Sequence, residues 1–442
     1  MATSTSTVKG ERLLRSIWPR HVPGLRWWIV ILLMGVTLMA YLDRTCLSVA
    51  APTLKKQLSI NAVQYSYIVF AFQLPYILTQ PFVGRIIDWL NIRVGLAISI
   101  AWWSVAQMLT GFALTWQGFA AFRVLLAFGE AGNFPSGAKV VAQWFRPSER
   151  SMATGIFNVG AGLGQVIATP AVAFIILWYN WQMAFVITGA VGLLWVALWL
   201  LLYRTPEEHP WMSPEELAHV RQGQAQAVVQ DEPDQKGVWK IVLGQRNFWG
   251  IAAARFMSEP AWAFMQYWPI LYLSDVRHMN LKSIGYFAWL PFIAGDFGCL
   301  FGGVMGPIFN KLGFSVITSR KLAATVCAIL MVGAIFIGTA PTVGVAIFFF
   351  CVGAFAHQAM SSTLLTLPAD LFPKRTVATA NGLSGMIGGA GGMLFNLVVG
   401  QVVMKTGYGP LFVGMAFFDL IGVTFLWSLI RDWNAPRDAR AA

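Results

Sequence analysis

The sequence predicts an all-α membrane protein with twelve transmembrane helices in two pseudo-symmetric six-helix bundles. Composition is the first observation behind this prediction. The 442 residues are 57% hydrophobic and 11% charged, whereas soluble domains are about one-quarter charged. This composition excludes secreted, disordered and fibrous classes and indicates a chain embedded in a bilayer.

Continuous apolar segments are the second observation, since a transmembrane helix needs about 20 mostly apolar residues. The predicted spans are 25–53, 63–88, 92–114, 117–144, 152–177, 180–203, 246–273, 283–310, 317–338, 341–369, 377–403 and 408–430. Their apolar runs are unbroken, whereas the strands of a membrane barrel alternate over about ten residues. The spans are therefore predicted to be helices.

An internal repeat is the third observation. Residues of one half return at a constant offset in the other: Arg150, Ala153, Thr154, Gly160 and Gly164 correspond to Arg375, Ala378, Thr379, Gly385 and Gly389. Parallel repeats of six helices are related by an axis along the membrane normal and enclose a cavity between them. This arrangement is typical of a secondary transporter.

The longest hydrophilic stretch separates the two sets of six spans. The predicted regions are a cytoplasmic N-terminal segment 1–23, a first bundle 24–204, a cytoplasmic linker 205–245, a second bundle 246–431 and a cytoplasmic tail 432–442. Within the linker, Ser213 is followed by Pro-Glu-Glu. Because a serine side chain can cap the first amides of a helix, this pattern predicts an amphipathic surface helix.

The net charge of +12 comes from basic residues that follow the predicted topology. Most lysines and arginines fall in the N-terminal segment, the linker, the tail and the loops on their side, so both termini are predicted to be cytoplasmic. Because the positive charge is spread over these loops rather than gathered in one patch, we expect no nucleic-acid partner. Residues 1–23 contain no apolar run, and we expect no cleavable signal peptide.

Motifs for several other functions are absent from the sequence. The cysteines lie in apolar segments without Cys-x-x-Cys spacing, which favours neither disulfides nor zinc. There is no nucleotide-binding loop and no His-Glu-x-x-His motif. We therefore expect no enzyme activity, no cofactor and no metal, and a transport cycle driven by an ion gradient.

Ionisable residues inside the spans are the first candidates for function, because charge is costly there. Span 1 carries Asp43 beside Arg44, and span 4 carries Arg123 and Glu130, two helical turns apart on nearly one face. A low-dielectric cavity favours a protonated carboxyl, and a neighbouring guanidinium favours an ionised one. Moving an arginine onto a substrate can therefore trigger protonation. The alternative is that Asp43–Arg44 and Arg123–Glu130 are structural ion pairs.

Polar and aromatic residues in the second half suit a polyhydroxylated ligand. Span 7 carries Trp262 and Gln266, and span 10 carries His357. An aromatic face can cover the apolar face of a sugar while amides and hydroxyls bind its polar groups. The alternative is that these side chains only pack between helices.

The loop between spans 2 and 3 contains Gly84, Asp88, Arg93 and Gly95. An acid beside an arginine at a helix end can hold two helices together in one conformation and release them in another. Gly84, Asp88 and Arg93 are therefore predicted gating residues. The alternative is that the positive charge only sets topology.

The loop between spans 2 and 3 also resembles the signature of the major facilitator superfamily. The segments AAPTLKKQLSINAVQYSYI, QWFRPSERS, FNVG, WQMAFVITGA, FWGIAAARFMSEPAW, FAHQAMSSTLLTLPAD and VATANGL resemble the anion:cation symporter family, and within it the bacterial hexuronate transporters. The resemblance covers most of residues 24 to 430. One position departs from the hexuronate branch, since Asp43 resembles the related aldonate and aldarate carriers.

The resemblance implies roles for individual residues. Arg44 would bind the substrate carboxylate, Asp43 and Glu130 would be protonation sites, and Arg123 would pair with Glu130. The implied substrate contacts are completed by Tyr41, Tyr76, Asn158 and Asn381.

The function predicted in this way is proton-coupled import of a sugar-acid anion, such as galacturonate or glucuronate, across the bacterial inner membrane. The expected partners are the small organic anion and membrane lipids, with H⁺ as coupling ion and a functional monomer. The same fold carrying an aldonate, an aldarate, a dicarboxylate or an aromatic acid is the nearest alternative. An intramembrane enzyme or a channel is disfavoured, because the sequence lacks a hydrolase motif, a filter segment and rings of like charge.

Overall fold

The structure is a computed structural model that describes residues 21–146, 149–228 and 237–431. Throughout these ranges the regular structure is helical, with no strand. We number the α-helices in chain order. They are α1 Leu25–Leu58, α2 Ala62–Leu90, α3 Ile92–Thr110, α4 Trp116–Glu130, α5 Asn133–Trp144, α6 Arg150–Trp178, α7 Trp181–Leu202, α8 Pro214–Val228, α9 Val238–Leu243, α10 Arg246–Tyr267, α11 Pro269–Asp275, α12 Leu281–Phe287, α13 Leu290–Lys311, α14 Val316–Met331, α15 Phe336–Thr339, α16 Val343–Leu371, α17 Lys374–Thr406 and α18 Gly409–Leu429.

Nine helical segments in the described part are long and apolar enough to cross a membrane. The other three predicted spans are also helical. They coincide with α2, with the pair α4 and α5, and with α10 and α11. α10 carries Arg255 and Glu259, which lower its hydropathy, and span 4 is divided after Glu130. The prediction of twelve helical spans therefore agrees with the fold.

Interruptions within spans have local causes. Span 7 is divided at Trp268, and Pro269 occupies the first turn of α11. Proline has no amide hydrogen to donate and a backbone angle already suited to a helix start. Span 9 contains a single 3-10 turn, Val332–Ile335, between α14 and α15. The predicted linker helix is present as α8, with the hydroxyl of Ser213 accepting a hydrogen bond from the amide of Glu216 at 3.1 Å.

The helices pack as two halves, α1 to α7 and α10 to α18. In the first half α1 packs along α6, and in the second α10 packs along α17. Glycines permit the closest approaches: a Cβ on Gly160 would lie 2.3 Å from the carbonyl oxygen of Met34, and one on Gly164 would lie 2.4 Å from that of Leu38. These two glycines of the sequence repeat therefore let α6 lie directly on α1.

The described chain ends and the linker lie at one end of the molecule, which we call the terminal face. The amide of Val22 donates to the carbonyl of Trp211 at 3.1 Å, and the amide of Arg431 donates to Asn247 Oδ1 at 2.9 Å. The other end, which we call the opposite face, carries residues 58–61, 275–280 and 406–409. Both described chain ends are therefore on the same side of the helical layer.

The two halves are joined firmly towards the opposite face. Lys55 Nζ lies 2.7 Å from Asp275 Oδ2, and the hydroxyl of Tyr65 donates to the carbonyl of Tyr267 at 3.0 Å. A further hydrogen bond between the halves, from Ser48 Oγ to the carbonyl of Tyr267 at 3.4 Å, lies in the same region. The structure is thus closed at the opposite face.

Candidate functional site

A cavity of about 210 Å³ lies between the two halves. Helices α1, α2 and α5 form one wall, and α10 and α17 form the other. The lining residues are Tyr41, Arg44, Phe72, Gln73, Tyr76, Ile77, Phe134, Glu259, Trp262, Ala263, Gln266, Tyr267, Gly385, Gly389 and Gly392. One positive side chain, one acidic side chain, aromatic rings and amides thus surround a space to which both halves contribute.

Arg44 is the positive charge of this cavity. Its Nε donates to Glu130 Oε1 at 2.5 Å, and its guanidinium carbon lies 4.9 Å, 4.9 Å and 4.7 Å from the ring centres of Tyr41, Phe72 and Tyr76. Among the described residues, Glu130 is the carboxylate with which Arg44 forms an ion pair. Because a guanidinium has five N–H donors, the Nε contact leaves donors for a second anion.

Glu130 is buried behind Arg44, with 1% of its surface exposed. It is the last residue of α4, and its carboxylate lies beside α1, where it contacts Arg44. The expectation that Glu130 pairs with Arg123 is wrong for this conformation, because its ion-pair partner is Arg44.

Arg123 and Asp43 form a separate buried group next to the Arg44–Glu130 pair. Nη1 of Arg123 donates to the backbone carbonyl of Asp43 at 3.4 Å, and its guanidinium lies 5.8 Å from the ring centre of Phe185. Thr188 lies beside the Asp43 carboxyl, but neither carboxyl oxygen has a hydrogen bond of acceptable geometry among the described residues. Thr188 directs its own hydroxyl hydrogen to the carbonyl of Phe185. Neither Asp43–Arg44 nor Arg123–Glu130 is therefore an ion pair here.

The second half contributes Trp262 and Gln266 to the cavity lining, and their contact with substrate stays a prediction. Gln266 lines the cavity, but its Nε2 is buried below the cavity surface and has no hydrogen-bond partner within the described ranges. His357 does not line the cavity as predicted for a substrate-binding residue. It lies behind Trp262, with the two rings stacked at 5.6 Å and 9°, because it is on the buried face of α16.

Asn158 and Asn381 lie outside the cavity lining. Asn158 is exposed, one turn from the open space at Gly155. Nδ2 of Asn381 donates to the carbonyl of Leu365 at 3.5 Å. In this conformation the two asparagines are thus separate from the Arg44 site, and their substrate contacts stay a prediction.

The predicted gating group is described only in part. Gly84 and Asp88 belong to α2, but their side-chain surroundings lie outside the described residues. Arg93 donates from Nη2 to the carbonyl of Leu200, and the indole of Trp199 donates to the carbonyl of Arg93 at 3.0 Å. Arg93 therefore ties the start of α3 to the end of α7, and its gating role stays a prediction.

Several cavity residues were not identified as candidates from the sequence, notably Phe72 and Gln73. Oε1 of Gln73 accepts a hydrogen bond from Asn396 Nδ2 at 3.1 Å, and Asn396 Oδ1 accepts one from the indole of Trp268 at 2.9 Å. This chain joins α2, α17 and the start of α11. The sequence signal for Gln73 was its amide side chain in an otherwise apolar span, since such a residue often forms a polar contact between helices.

The fold and the site together define a membrane carrier: two helical halves, closed on one side, enclose a central cavity with a buried ion pair. The chain belongs to the Major Facilitator Superfamily, which its residues 33–396 match. The predicted fold class and family are confirmed. The prediction that the chain is not an enzyme agrees with this transporter family.

Named relatives extend over nearly the whole chain. It is 40% identical over 414 residues to the hexuronate transporter of Escherichia coli K12, covering 93% of this chain and 96% of that protein. It is 39% identical over 328 residues to the galacturonate transporter of Dickeya chrysanthemi, covering 74% and 95%. A solved bacterial homologue of the human lysosomal transporter Spinster, inward-facing and occupied, has a TM-score of 0.69 at 17% identity, covering 92% and 95%.

Proposed function

We propose that this protein imports a sugar-acid anion, a hexuronate such as galacturonate or glucuronate, together with protons and by alternating access. The observation that carries the proposal is Arg44, an arginine held in the cavity between the two halves by Glu130 and three aromatic rings. The relatives named for hexuronate and galacturonate transport support the same substrate class.

Arg44 is suited to bind the carboxylate of the substrate. A guanidinium binds a carboxylate through two parallel hydrogen bonds, and these charge-assisted bonds are stronger than neutral ones. The rings of Tyr41, Phe72 and Tyr76 restrict the guanidinium to one orientation. An anion that enters the cavity therefore meets a guanidinium of fixed orientation whose charge is shared with Glu130.

The other wall is suited to the sugar ring. Trp262 offers an aromatic face. The Gln266 amide, whose Nε2 is buried without a partner among the described residues, is proposed to turn towards the substrate. A buried donor left unpaired costs about 1–3 kcal/mol, and a substrate hydroxyl that accepts its hydrogen removes this cost. The pairing of a positive wall with an aromatic and amide wall matches a molecule with one carboxylate and several hydroxyls.

Proton coupling follows from competition for Arg44. While Glu130 is ionised it holds Nε of Arg44; a proton that adds to the Glu130 carboxylate removes its charge and releases the arginine to the substrate. Asp43 provides a second buried carboxyl, next to Arg123. We assign Glu130 and Asp43 as proton sites, Arg123 as the positive neighbour of Asp43, and H⁺ as the coupling ion.

We infer that the closed opposite face marks one end point of an alternating-access cycle, in which the cavity is reached from the terminal face. The positive-inside rule places the terminal face in the cytoplasm, so the conformation described here is inward-open. We further infer that the protein functions as a monomer surrounded by lipid in the bacterial inner membrane, since the two halves that wall the cavity belong to the same polypeptide.

Calorimetric binding to the purified protein tests the substrate site. Galacturonate, glucuronate and galactonate are compared with neutral galactose, and we expect binding only of the acids. Arg44→Lys is expected to weaken binding by about 10- to 100-fold, since hydrogen bonds to charged groups contribute about 1.5–3 kcal/mol.

Arg255→Lys is the matched control, because Arg255 binds Ser384 Oγ at 3.2 Å and does not line the cavity. Equal loss in both variants, or tight binding of galactose, would contradict the assignment of Arg44. Binding of galactonate but not of either uronate would retain the carrier and change its substrate to an aldonate.

A further inference from the structure

Another buried acid lies in the other half of the molecule, far along the chain from Asp43 and Glu130. Asp419 is in α18 and has 0% of its surface exposed, and neither carboxyl oxygen has a hydrogen-bond partner among the described residues. Its Oδ1 lies 3.9 Å from Nδ1 of His357 in α16. His357 is itself 2% exposed. Two titratable groups therefore face each other in a site closed to water.

The charge of this pair is restricted by its burial. An isolated carboxylate in a low-dielectric site costs several kcal/mol, so Asp419 is either protonated or opposed by a protonated His357. In both arrangements the two side chains share one proton and have no net charge, so the proton belongs to the pair rather than to either residue. Removing it leaves an uncompensated negative charge, and adding another leaves a positive one.

His357 connects this pair to the substrate cavity. Its ring stacks on Trp262 at 5.6 Å and 9°, and its Nδ1 lies 3.3 Å from Oγ of Ser258. Ser258 and Trp262 are one turn apart on α10, so the imidazole is fixed against two successive turns of that helix. Trp262, on which His357 stacks, in turn lines the cavity.

Other charged groups of the second half are directed elsewhere. On α10, Arg255 donates to Ser384 Oγ and the carbonyl of Asn381, and Glu259 lines the cavity. On α14, Lys321 Nζ donates to the carbonyl of Ile430 at 2.6 Å. The titratable group that faces Asp419 from α14 is the buried thiol of Cys327.

Three further charged groups on the helices packed around the pair also have positions of their own. On α13, Asp296 lies against Gly162 of the first half. On α16, Asp370 is paired with Arg320 at 3.0 Å. On α17, Lys405 is in the last turn and exposed. Within the described part of the chain, His357 is thus the basic group that lies opposite Asp419.

We propose that His357 and Asp419 form a one-proton pair that positions Trp262, and that this pair is a proton-binding site separate from Asp43 and Glu130. With one proton the pair is neutral and holds the imidazole flat against the indole. Loss or gain of a proton places net charge in the buried site and moves the ring, and Trp262 with it. The effect on transport rests on the proposed function, because it needs Trp262 to contact the sugar.

The position of Trp262 can be measured without substrate. The protein is prepared with 5-fluorotryptophan, and the ¹⁹F resonance of Trp262 is assigned by its loss in Trp262→Phe. We expect this resonance to shift as pH is varied from about 4.5 to 9, and to lose that shift in Asp419→Asn. His357→Gln provides a second test if Asp419→Asn does not fold.

Asp370→Asn is the matched control, an acid on the same helix as His357 but paired with Arg320; its Trp262 resonance should still follow pH. The proposal is overturned if the wild-type resonance is constant over this pH range. It is also overturned if the resonance shifts with pH as much in Asp419→Asn and His357→Gln as in the wild type. Because no substrate is present, this result is independent of the identity of the cargo.

A transport measurement completes the test. Weakening one aromatic contact of about 1 kcal/mol corresponds to about a fivefold rise in KM for galacturonate in Asp419→Asn, with kcat retained and the pH dependence of KM reduced. A fall in kcat with unchanged KM would contradict a positioning role. If the ¹⁹F shifts behave as expected while galacturonate is not bound, the proposed substrate fails and the proton pair stands.

Discussion

Removing the hydroxyl of Tyr65 should shift the protein away from the inward-open conformation. This hydroxyl, on α2, donates to the carbonyl of Tyr267, on α10, at 3.0 Å and thereby joins the two halves at the closed face. Tyr65→Phe removes one hydrogen bond and retains the ring, which packs edge-on against Trp268 at 5.2 Å. The substitution therefore tests the hydrogen bond without opening a space.

The expected size follows from the contacts. Tyr65 is 4% exposed, and a hydrogen bond of this kind contributes about 1 kcal/mol net. The carbonyl of Tyr267 is not left without a partner, because Oγ of Ser48 lies 3.4 Å from it, so no further cost for an unpaired group is expected. A change of 1 kcal/mol corresponds to about a fivefold change in the ratio of inward-open to outward-open molecules.

Pulsed electron paramagnetic resonance in lipid nanodiscs measures this ratio, with one spin label on each half at the opposite face. Tyr67→Phe is the control, since Tyr67 is on the same helix but 41% exposed, and it should leave the distance distribution unchanged. If Tyr65→Phe shifts the ratio less than twofold, or if Tyr67→Phe shifts it equally, the hydrogen bond does not stabilise the closed face as argued.

Three further predictions concern coupling, pH and packing. Glu130→Gln should retain galacturonate binding, because Arg44 is released from its partner, but lose accumulation driven by a proton gradient; normal accumulation in liposomes would remove Glu130 from coupling. Burial lowers the pKa of His209 in the linker from 6.5 to about 4. Because the unfolded chain binds more protons between these two values, the folded protein should lose stability as pH falls from about 6.5 to 4. His209→Gln should weaken this pH dependence of the unfolding temperature, and an unchanged pH dependence would contradict the argument. A Cβ on Gly298 would lie 2.1 Å from the carbonyl oxygen of Phe355, whereas one on Gly303 would meet nothing within 4 Å, so Gly298→Ala should lower the unfolding temperature and Gly303→Ala should not; equal effects would refute the packing argument.

Helical spans were predictable because hydropathy and length report on single segments. The side-chain partners that join one helix to another were harder to predict, as Glu130 illustrates. The spacing of Arg123 and Glu130 correctly indicated nearly one face of a helix, but two arginines were available to Glu130. Arg123 is seven residues, or about 10 Å, away along the helix axis, whereas Arg44 approaches Glu130 from α1. Which neighbouring helix faces Glu130 depends on tertiary packing, which hydropathy does not report.

The depth of a residue was equally hard to predict for His357. Its helix α16 is apolar on all sides, so periodicity does not separate a face towards the cavity from a face towards the neighbouring helices. His357 packs behind Trp262 and opposite Asp419, a residue more than sixty positions away in sequence. Gln73 was overlooked for the related reason that its partner, Asn396, belongs to the other half.

Uptake of labelled galacturonate by liposomes that contain the purified protein tests the central claim most directly. The account predicts accumulation above the external concentration with an inward proton gradient, and only equilibration once an ionophore collapses that gradient. Accumulation that is the same with and without the gradient would contradict proton coupling. No uptake of galacturonate or glucuronate in either condition, by protein that transports another organic anion, would contradict the substrate assigned to Arg44.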